Sequence, residues 1–342
     1  MINATVIGAG SWGTALSLVL SDGKNNVTIW GREQEIQDIH KNQRENKTYL
    51  PGIKLPDSMN ITGDIHEALD KTDLIVLAIP SQSLREVCSY IKSAIKGNPI
   101  IVNTAKGLEI NTLSRLSQVI KEELPQHNKS IAVLSGPSHA EEVGRRMPTT
   151  IVSAAENRKI AEYVQDAFMT PNFRVYTSPD VIGIEMAGAL KNVIAVAAGI
   201  TDGLGLGDNT KAALITRGLA EIARLGNKMG GELLTFAGLC GVGDLVVTCT
   251  SMHSRNRRAG IEIGQGKPLE QILKDMGMVV EGVKTTKAAY ELSIKNQVAM
   301  PITTELYKIL FNGLEPRQGL ANLMSRNKTY DVEEIVLNKK DW

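Results

Sequence analysis

The amino-acid sequence predicts an α/β protein in which a doubly wound parallel sheet is followed by an all-α-helical C-terminal domain. Two contrasting textures and the break between them predict this. From residue 1 to about 178, short β-rich runs alternate with helical stretches, and several runs, "DLIVLAIP" among them, are apolar almost without interruption. Strands of that kind need cover on both faces, as in a parallel sheet with helices on each side. After "YTSPDVIG" the strand pattern gives way to helical periodicity interrupted by glycine-rich turns, "DGLGLGDN" and "GLCGVGD" among them.

Taken in order, strands are expected at residues 4–7, 27–30, 74–79, 100–104, 131–134, 150–153 and 174–176. Ser178 followed by Pro179 suits a helix start, with the proline in the first turn where its missing N–H costs little. The boundary is therefore placed near residue 179, giving domains 1–178 and 179–342. A chain of 342 residues is long for one core and agrees with two. The closing "EEIVLNKKDW" reads as a weakly held tail.

An apolar fraction of 42% and a charged fraction of 22% are those of a folded soluble protein. With 38 basic against 37 acidic residues, neither nucleic acid nor an anionic membrane is favoured as a partner. The N-terminal "MINATVIGAG" enters a strand directly, without the marks of an export signal. Cys88, Cys240 and Cys249 are odd in number and lack metal-ligand spacing. Reduced thiols in a cytoplasmic protein without a metal site are expected. The apolar run around residues 186–200 is not expected to span a membrane, because Lys191 and Asn192 interrupt it.

"VIGAGSWGTALSLVL" places Gly8, Gly10 and Gly13 in G-x-G-x-x-G spacing between the first strand and a helix. There the glycines allow a tight turn, close approach to a dinucleotide pyrophosphate and close helix–strand packing. The pyrophosphate would meet free N–H groups at the helix start; a ligand-free glycine turn is the alternative. At the end of the second strand, "TIWGRE" presents Arg32 where an acid would select NAD. NADP(H) is favoured, and Glu33 leaves NAD(H) open. Arg32 could also be an ordinary exposed helix-start residue.

Two further loops leave strands on the same edge. "NTAKGLE" carries Lys106, a cation suited to an anionic substrate or else a solvated loop lysine. "SGPSHAEEV" carries Gly136 and Ser138, and Ser138 with Glu141 also fits a capping box. In "MAGALKNVIAVAAGI", Lys191 has only Ala187, Gly188, Ile194 and Ala195 one helical turn away, so no local carboxylate pairs with it. Burial lowers the pKa of such a lysine and suits it to acid–base work, unless its head snorkels to water. Asp244 in "GLCGVGDLVVTC" is the lone acid of another apolar stretch, and the two charges are cheapest in one shared site. "TSMHSRNRRAG" then crowds Ser254, Arg255, Asn256, Arg257 and Arg258 at a helix start. Cations there oppose the helix dipole, and a bound phosphate would compensate. No His–carboxylate pair is evident from His139 or His253.

These stretches carry a family resemblance. Through "GAGSWGTA", "NTAKGLE", "SGPSHAEEV", "GALKNVIAVAAGI", "GVGDLVVTC", "SRNRRAG" and "VEGVKT", in that order, the chain resembles bacterial NAD(P)-dependent glycerol-3-phosphate dehydrogenases almost end to end. The resemblance implies a Rossmann domain joined to a helical domain. It also implies reversible hydride transfer between a nicotinamide cofactor and dihydroxyacetone phosphate, giving sn-glycerol 3-phosphate, the backbone precursor of glycerophospholipids. It implies Lys191 as the catalytic acid–base, grouped with Asp244 and Lys106. Lys106, Gly136, Ser138, Lys191, Asp244, Ser254, Arg255 and Asn256 are implied to contact substrate. Beside Gly8, Gly10 and Gly13 of the glycine motif, Ser11, Trp12, Arg32, Lys106, Ala140, Arg255, Val279 and Glu281 are implied to lie near the cofactor. The family leans towards a homodimer. One departure is visible: His139 stands where the family usually has Phe, which bears on packing more than on chemistry.

Three other readings remain at this stage. 3-Hydroxyacid and 6-phosphogluconate dehydrogenases also join a Rossmann to a helical domain and can use a lysine. UDP-sugar dehydrogenases would need a nucleophilic cysteine. A dinucleotide sensor without turnover would leave Lys191 and Asp244 unexplained.

Overall fold

The computed structural model describes residues 1–327; the expected C-terminal tail lies outside them. The first half runs β1 (Asn3–Ile7), α1 (Ser11–Asp22), β2 (Asn26–Trp30), α2 (Glu33–Lys41), β3 (Asn60–Thr62), α3 (Ile65–Ala68), β4 (Leu74–Leu77), α4 (Leu84–Ile91), β5 (Ile100–Asn103), α5 (Leu116–Glu123), β6 (Ile131–Ser135), α6 (Ala140–Gly144), β7 (Thr149–Ala154), α7 (Arg158–Phe168) and β8 (Phe173–Ser178). The second half is helical: α8 (Val181–Gly203), α9 (Gly207–Lys228), α10 (Leu233–Phe236), α11 (Asp244–Thr250), α12 (Arg255–Gly264), α13 (Leu269–Met276), α14 (Glu281–Asn296), α15 (Pro301–Phe311) and α16 (Pro316–Met324). A π-helical turn, Leu239–Gly243, leads into α11.

All strands form one sheet in the order β3-β2-β1-β4-β5-β6-β7-β8. The central β4 is buried along its whole length, as its unbroken apolar run requires, and two apolar clusters cover the faces of the sheet. The sequence reading needs three corrections here. β3 was not anticipated, because a three-residue edge strand is too short for an alternating pattern. β7 pairs antiparallel with β6 and then parallel with β8. The five-residue α6 is too short to carry the chain back along the sheet, so β7 starts near the edge where β6 ended. Finally, Pro179 precedes the first turn of α8 instead of lying in it. The N-cap is Asp180, whose carboxylate accepts hydrogen bonds from the Gly183 N–H (2.7 Å), the Glu232 N–H (2.9 Å) and the Thr235 hydroxyl (2.6 Å).

The axis of the second half is α8. By length and composition Val181–Gly203 could cross a membrane despite Lys191 and Asn192, but 89% of its most apolar window is buried inside the protein. Leu233–Thr250 passes the same test, yet it is divided among α10, the π turn and α11. Apolar residues on every side of α8 meet α9, α11, α12, α14 and strand β6, so the helix is a core element.

Contact between α8 and α12 is unusually close because each contributes glycine at four-residue spacing. A Cβ on Gly199 would lie 2.1 Å from the Arg257 carbonyl oxygen, and one on Gly260 would lie 2.1 Å from that of Val196. This approach brings the start of α12 beside Asn192 of α8. Gly260→Val is expected to lower stability by about 1–3 kcal/mol through overpacking. A urea melt with an unchanged midpoint would contradict that account.

Candidate active site

The cleft begins where β1 meets α1. Gly8 has φ +116°, and a Cβ there would lie 2.5 Å from the Ala78 carbonyl oxygen. A Cβ on Gly13 would lie 1.9 Å from the Gly8 carbonyl oxygen, whereas one on Gly10 would meet nothing within 4 Å. The first glycine thus makes the turn, the third permits helix–strand packing, and the second leaves the helix start open to the cleft. No side chain caps α1 at Gly10. The Trp12 Nε1–H is buried without a partner among the described residues. Open N–H groups at a helix start and an orphaned donor fit a dinucleotide pyrophosphate.

Of the residues anticipated near a cofactor, Gly8, Gly10, Ser11, Trp12, Arg32, Lys106, Ala140, Arg255, Val279 and Glu281 all line one cleft of about 1510 Å³ between the halves. Gly13 lies behind its wall. Glu281, at the start of α14, accepts hydrogen bonds from the Ser81 N–H (2.9 Å) and hydroxyl (2.5 Å), tying the two sides together. Sequence reasoning missed Ser81, since nothing local marks a partner 200 residues away.

On the opposite wall, Lys191 and Asp244 meet as their unpaired charges suggested. The Lys191 Nζ lies 2.7 Å from Asp244 Oδ1 and donates to the Thr248 hydroxyl oxygen at 2.6 Å. The Thr248 hydroxyl donates in turn to the Asp244 carbonyl, one turn earlier on α11. Lys106 Nζ binds Asp244 Oδ2 and the Gly136 carbonyl oxygen, each at 2.8 Å. One carboxylate therefore serves two ammonium groups, leaving an excess positive charge. Asp244 is only 1% exposed and Lys191 5%, and Asp244 does not line the cleft.

Burial is the largest influence on Lys191 and lowers its pKa to about 8, against the attraction of Asp244 and with further lowering from Lys106. Burial also works to raise the Asp244 carboxyl, but Lys106 and Lys191 outweigh it and the net direction is down. The snorkelling alternative for Lys191 and the solvated alternative for Lys106 do not describe these geometries. Thr248 was missed, although its place four residues after Asp244 was a usable signal.

A second network joins the α8–α12 crossing to the cleft. Asn256 donates to Asn192 (2.8 Å) and accepts from the Gly282 N–H (2.8 Å), while Asn192 donates to the Lys106 carbonyl (3.3 Å). Ser254 caps α12, its hydroxyl accepting from the Arg257 N–H at 3.2 Å. The arginine crowding is only partly uncompensated: Arg257 pairs with Asp202 at 2.7 Å, which also takes Lys211 at 2.6 Å. Arg255 and Arg258 instead line the cleft. Burial lowers the Arg255 pKa, with Glu281 and Glu141 opposing it.

Two further expectations change. Ser138 is not a helix cap; its hydroxyl donates to the Gly136 carbonyl oxygen at 2.9 Å, and the N-cap of α6 is His139. Gly136 sits behind the wall, whereas Ser138 and His139 line it. The His139 ring lies 5.8 Å from that of His253. Burial pushes the His139 pKa down, as do the Lys191 and Lys106 cations, against a hydrogen bond with the Val247 backbone and the charge of Glu141. Cys240 and Cys249 are buried, and burial pushes both thiols up to about 12, which denies the UDP-sugar dehydrogenase reading its thiolate nucleophile.

Comparison with known proteins identifies the family. The NAD-dependent glycerol-3-phosphate dehydrogenase N-terminus model matches residues 3–161, and the C-terminus model of the same family matches residues 180–321. A glycerol-3-phosphate dehydrogenase [NAD(P)+] from Bacillus velezensis is 57% identical over 337 residues, covering 98% of this chain and 98% of that protein. The enzyme of the same name from Desulfitobacterium hafniense is 56% identical over 337 residues, covering 98% and 95%. The crystal structure of the Coxiella burnetii glycerol-3-phosphate dehydrogenase superposes with a TM-score of 0.90 at 36% identity, covering 95% of this chain and 99% of that one. With both halves matched in order and relatives this similar over nearly their full length, the chain belongs to the NAD-dependent glycerol-3-phosphate dehydrogenase family.

Proposed function

We propose that this chain catalyses the reversible NAD(P)H-dependent reduction of dihydroxyacetone phosphate to sn-glycerol 3-phosphate, with Lys191 as the general acid–base. The observation that carries this reading is the pair of ammonium groups sharing buried Asp244 at the cleft wall. When bound, the reduced nicotinamide supplies the hydride. Lys191 Nζ gives a proton to the carbonyl oxygen as that oxygen gains negative charge, and takes it back in the oxidation direction. A preorganised donor at such a position contributes about 3–4 kcal/mol to transition-state stabilisation.

Asp244 positions both ammonium groups, and Lys106 supports the developing negative charge beside Lys191. Arg255 with the start of α12 holds the phosphate away from the reacting carbon and so orients the substrate. Residues 1–178 carry most of the cofactor contacts and residues from 179 onward most of the substrate contacts. The product is a backbone precursor of glycerophospholipids, and the enzyme works in the cytoplasm. Support for a homodimer comes from Leu233 and Leu234 of α10, Val242 of the π turn and Val246 of α11, all exposed, an apolar surface that a second copy would cover. Light scattering of the purified protein tests it.

The direct test of the reaction is the initial rate of NADPH and of NADH consumption with dihydroxyacetone phosphate, beside dihydroxyacetone without the phosphate. Turnover requiring the phosphate is expected; no turnover by folded, cofactor-binding protein would overturn the reading. The pH dependence has a definite sign. Reduction needs the Lys191 proton, so its kcat should fall as pH rises through about 8. Oxidation needs the neutral amine, so its kcat should rise through the same range. Parallel profiles in both directions would count against Lys191.

A further inference from the structure

We infer that Glu35, acting through Arg32, sets how strongly the cofactor cleft favours NADP(H) over NAD(H). The inference rests on the proposed reading of the cleft. Arg32 is the N-cap of α2 and Glu35 its third residue. Glu35 Oε2 accepts the Arg32 backbone N–H at 3.0 Å, the carboxylate half of a capping box, while Oε1 accepts Arg32 Nε at 3.0 Å and Nη2 at 2.6 Å. The backbone bond fixes the carboxylate, and the fixed carboxylate occupies the guanidinium fork. Both residues line the cleft beside Gly31 and Tyr49.

Glu33, the acid first noticed at this strand end, accepts instead from Gln37 at 2.7 Å and does not line the cleft. Glu35 thus stands where a ribose selector belongs. To a 2′-hydroxyl its carboxylate offers an acceptor. To a 2′-phosphate the same carboxylate is a like charge, and it already holds the guanidinium that would otherwise grip the phosphate in a bidentate pair. Arg32 and Glu35 together make a dual site in which the acid limits what the 2′-phosphate gains.

The test compares equilibrium binding of 2′,5′-ADP and 5′-AMP, which differ only in the 2′-phosphate, by titration calorimetry on wild type, Glu35→Gln and Arg32→Gln. Glutamine keeps an acceptor for the Arg32 N–H, so the start of α2 is retained. Glu35→Gln is expected to tighten 2′,5′-ADP by about tenfold, equivalent to about 1.4 kcal/mol, without tightening 5′-AMP. The NADPH to NADH ratio of kcat/KM should rise in parallel. Arg32→Gln should bring the two ligands to similar affinities. A purely structural role for Glu35 would move both ligands together, and an unchanged affinity ratio in Glu35→Gln overturns the inference while the cleft reading stands. Failure of both ligands to bind folded wild-type protein overturns the cleft reading and this inference together.

Discussion

Lys191→Ala is expected to lower kcat in both directions by about a thousandfold, within the range assigned to a lost general acid–base, while NADPH still binds. The two effects separate because Lys191 sits on the wall formed by α8, and the pyrophosphate end of the cleft is built from the β1–α1 turn. Folding should survive as well. Removing one member of a buried ion pair is costly when it strands the other charge, but here Lys106 remains 2.8 Å from Asp244. Stopped-flow NADPH consumption with cofactor fluorescence titration checks both parts. A variant that keeps about half the wild-type rate would remove Lys191 from its proposed role.

Asp244→Asn should cost more in stability than Lys191→Ala. The amide would leave the Lys106 and Lys191 ammonium groups facing each other without a counter-charge, in a setting where Asp244 is 1% exposed. Breaking such a cluster costs about 3–5 kcal/mol. The sign of the pH effect is also defined. Asp244 raises the Lys191 pKa against burial and Lys106, so without the carboxylate that pKa drops below about 8. The falling limb of the reduction profile should then move to lower pH. Chemical denaturation and a kcat–pH series test the two parts separately. A profile that stays in place would mean that Asp244 does not set the protonation of Lys191.

Legibility from sequence differed between motif and partner. Gly8, Gly10 and Gly13 suggested separate tasks by spacing alone; the structure crowds Gly8 and Gly13 against backbone and leaves Gly10 open. Lys191 and Asp244 were found by the same logic turned round, as charges with no local partner. The partners of other groups were not legible. Arg257 looked uncompensated because Asp202 lies 55 residues earlier, and Ser138 looked like a cap until the helix began one residue later. Glu33 and Glu35 differ by two positions in sequence, yet a helix turns them to different surroundings and only Glu35 lines the cleft.

The sequence by itself determined what short-range chemistry determines: a strand–glycine–helix start, fully apolar strands needing two covered faces, a helical second half and a pair of isolated buried charges. Motif order along the chain also sufficed for the family. Only the tertiary structure decided that β7 runs against β6, that Lys106 joins Lys191 on a single carboxylate, and that Glu281 reaches Ser81 across the cleft. The physical reason lies in separation along the chain. Asp244 is 53 residues from Lys191 and 138 from Lys106, and no local propensity encodes such a meeting. It follows from how α8 packs against α11 and from the strand edge on which the Lys106 loop emerges.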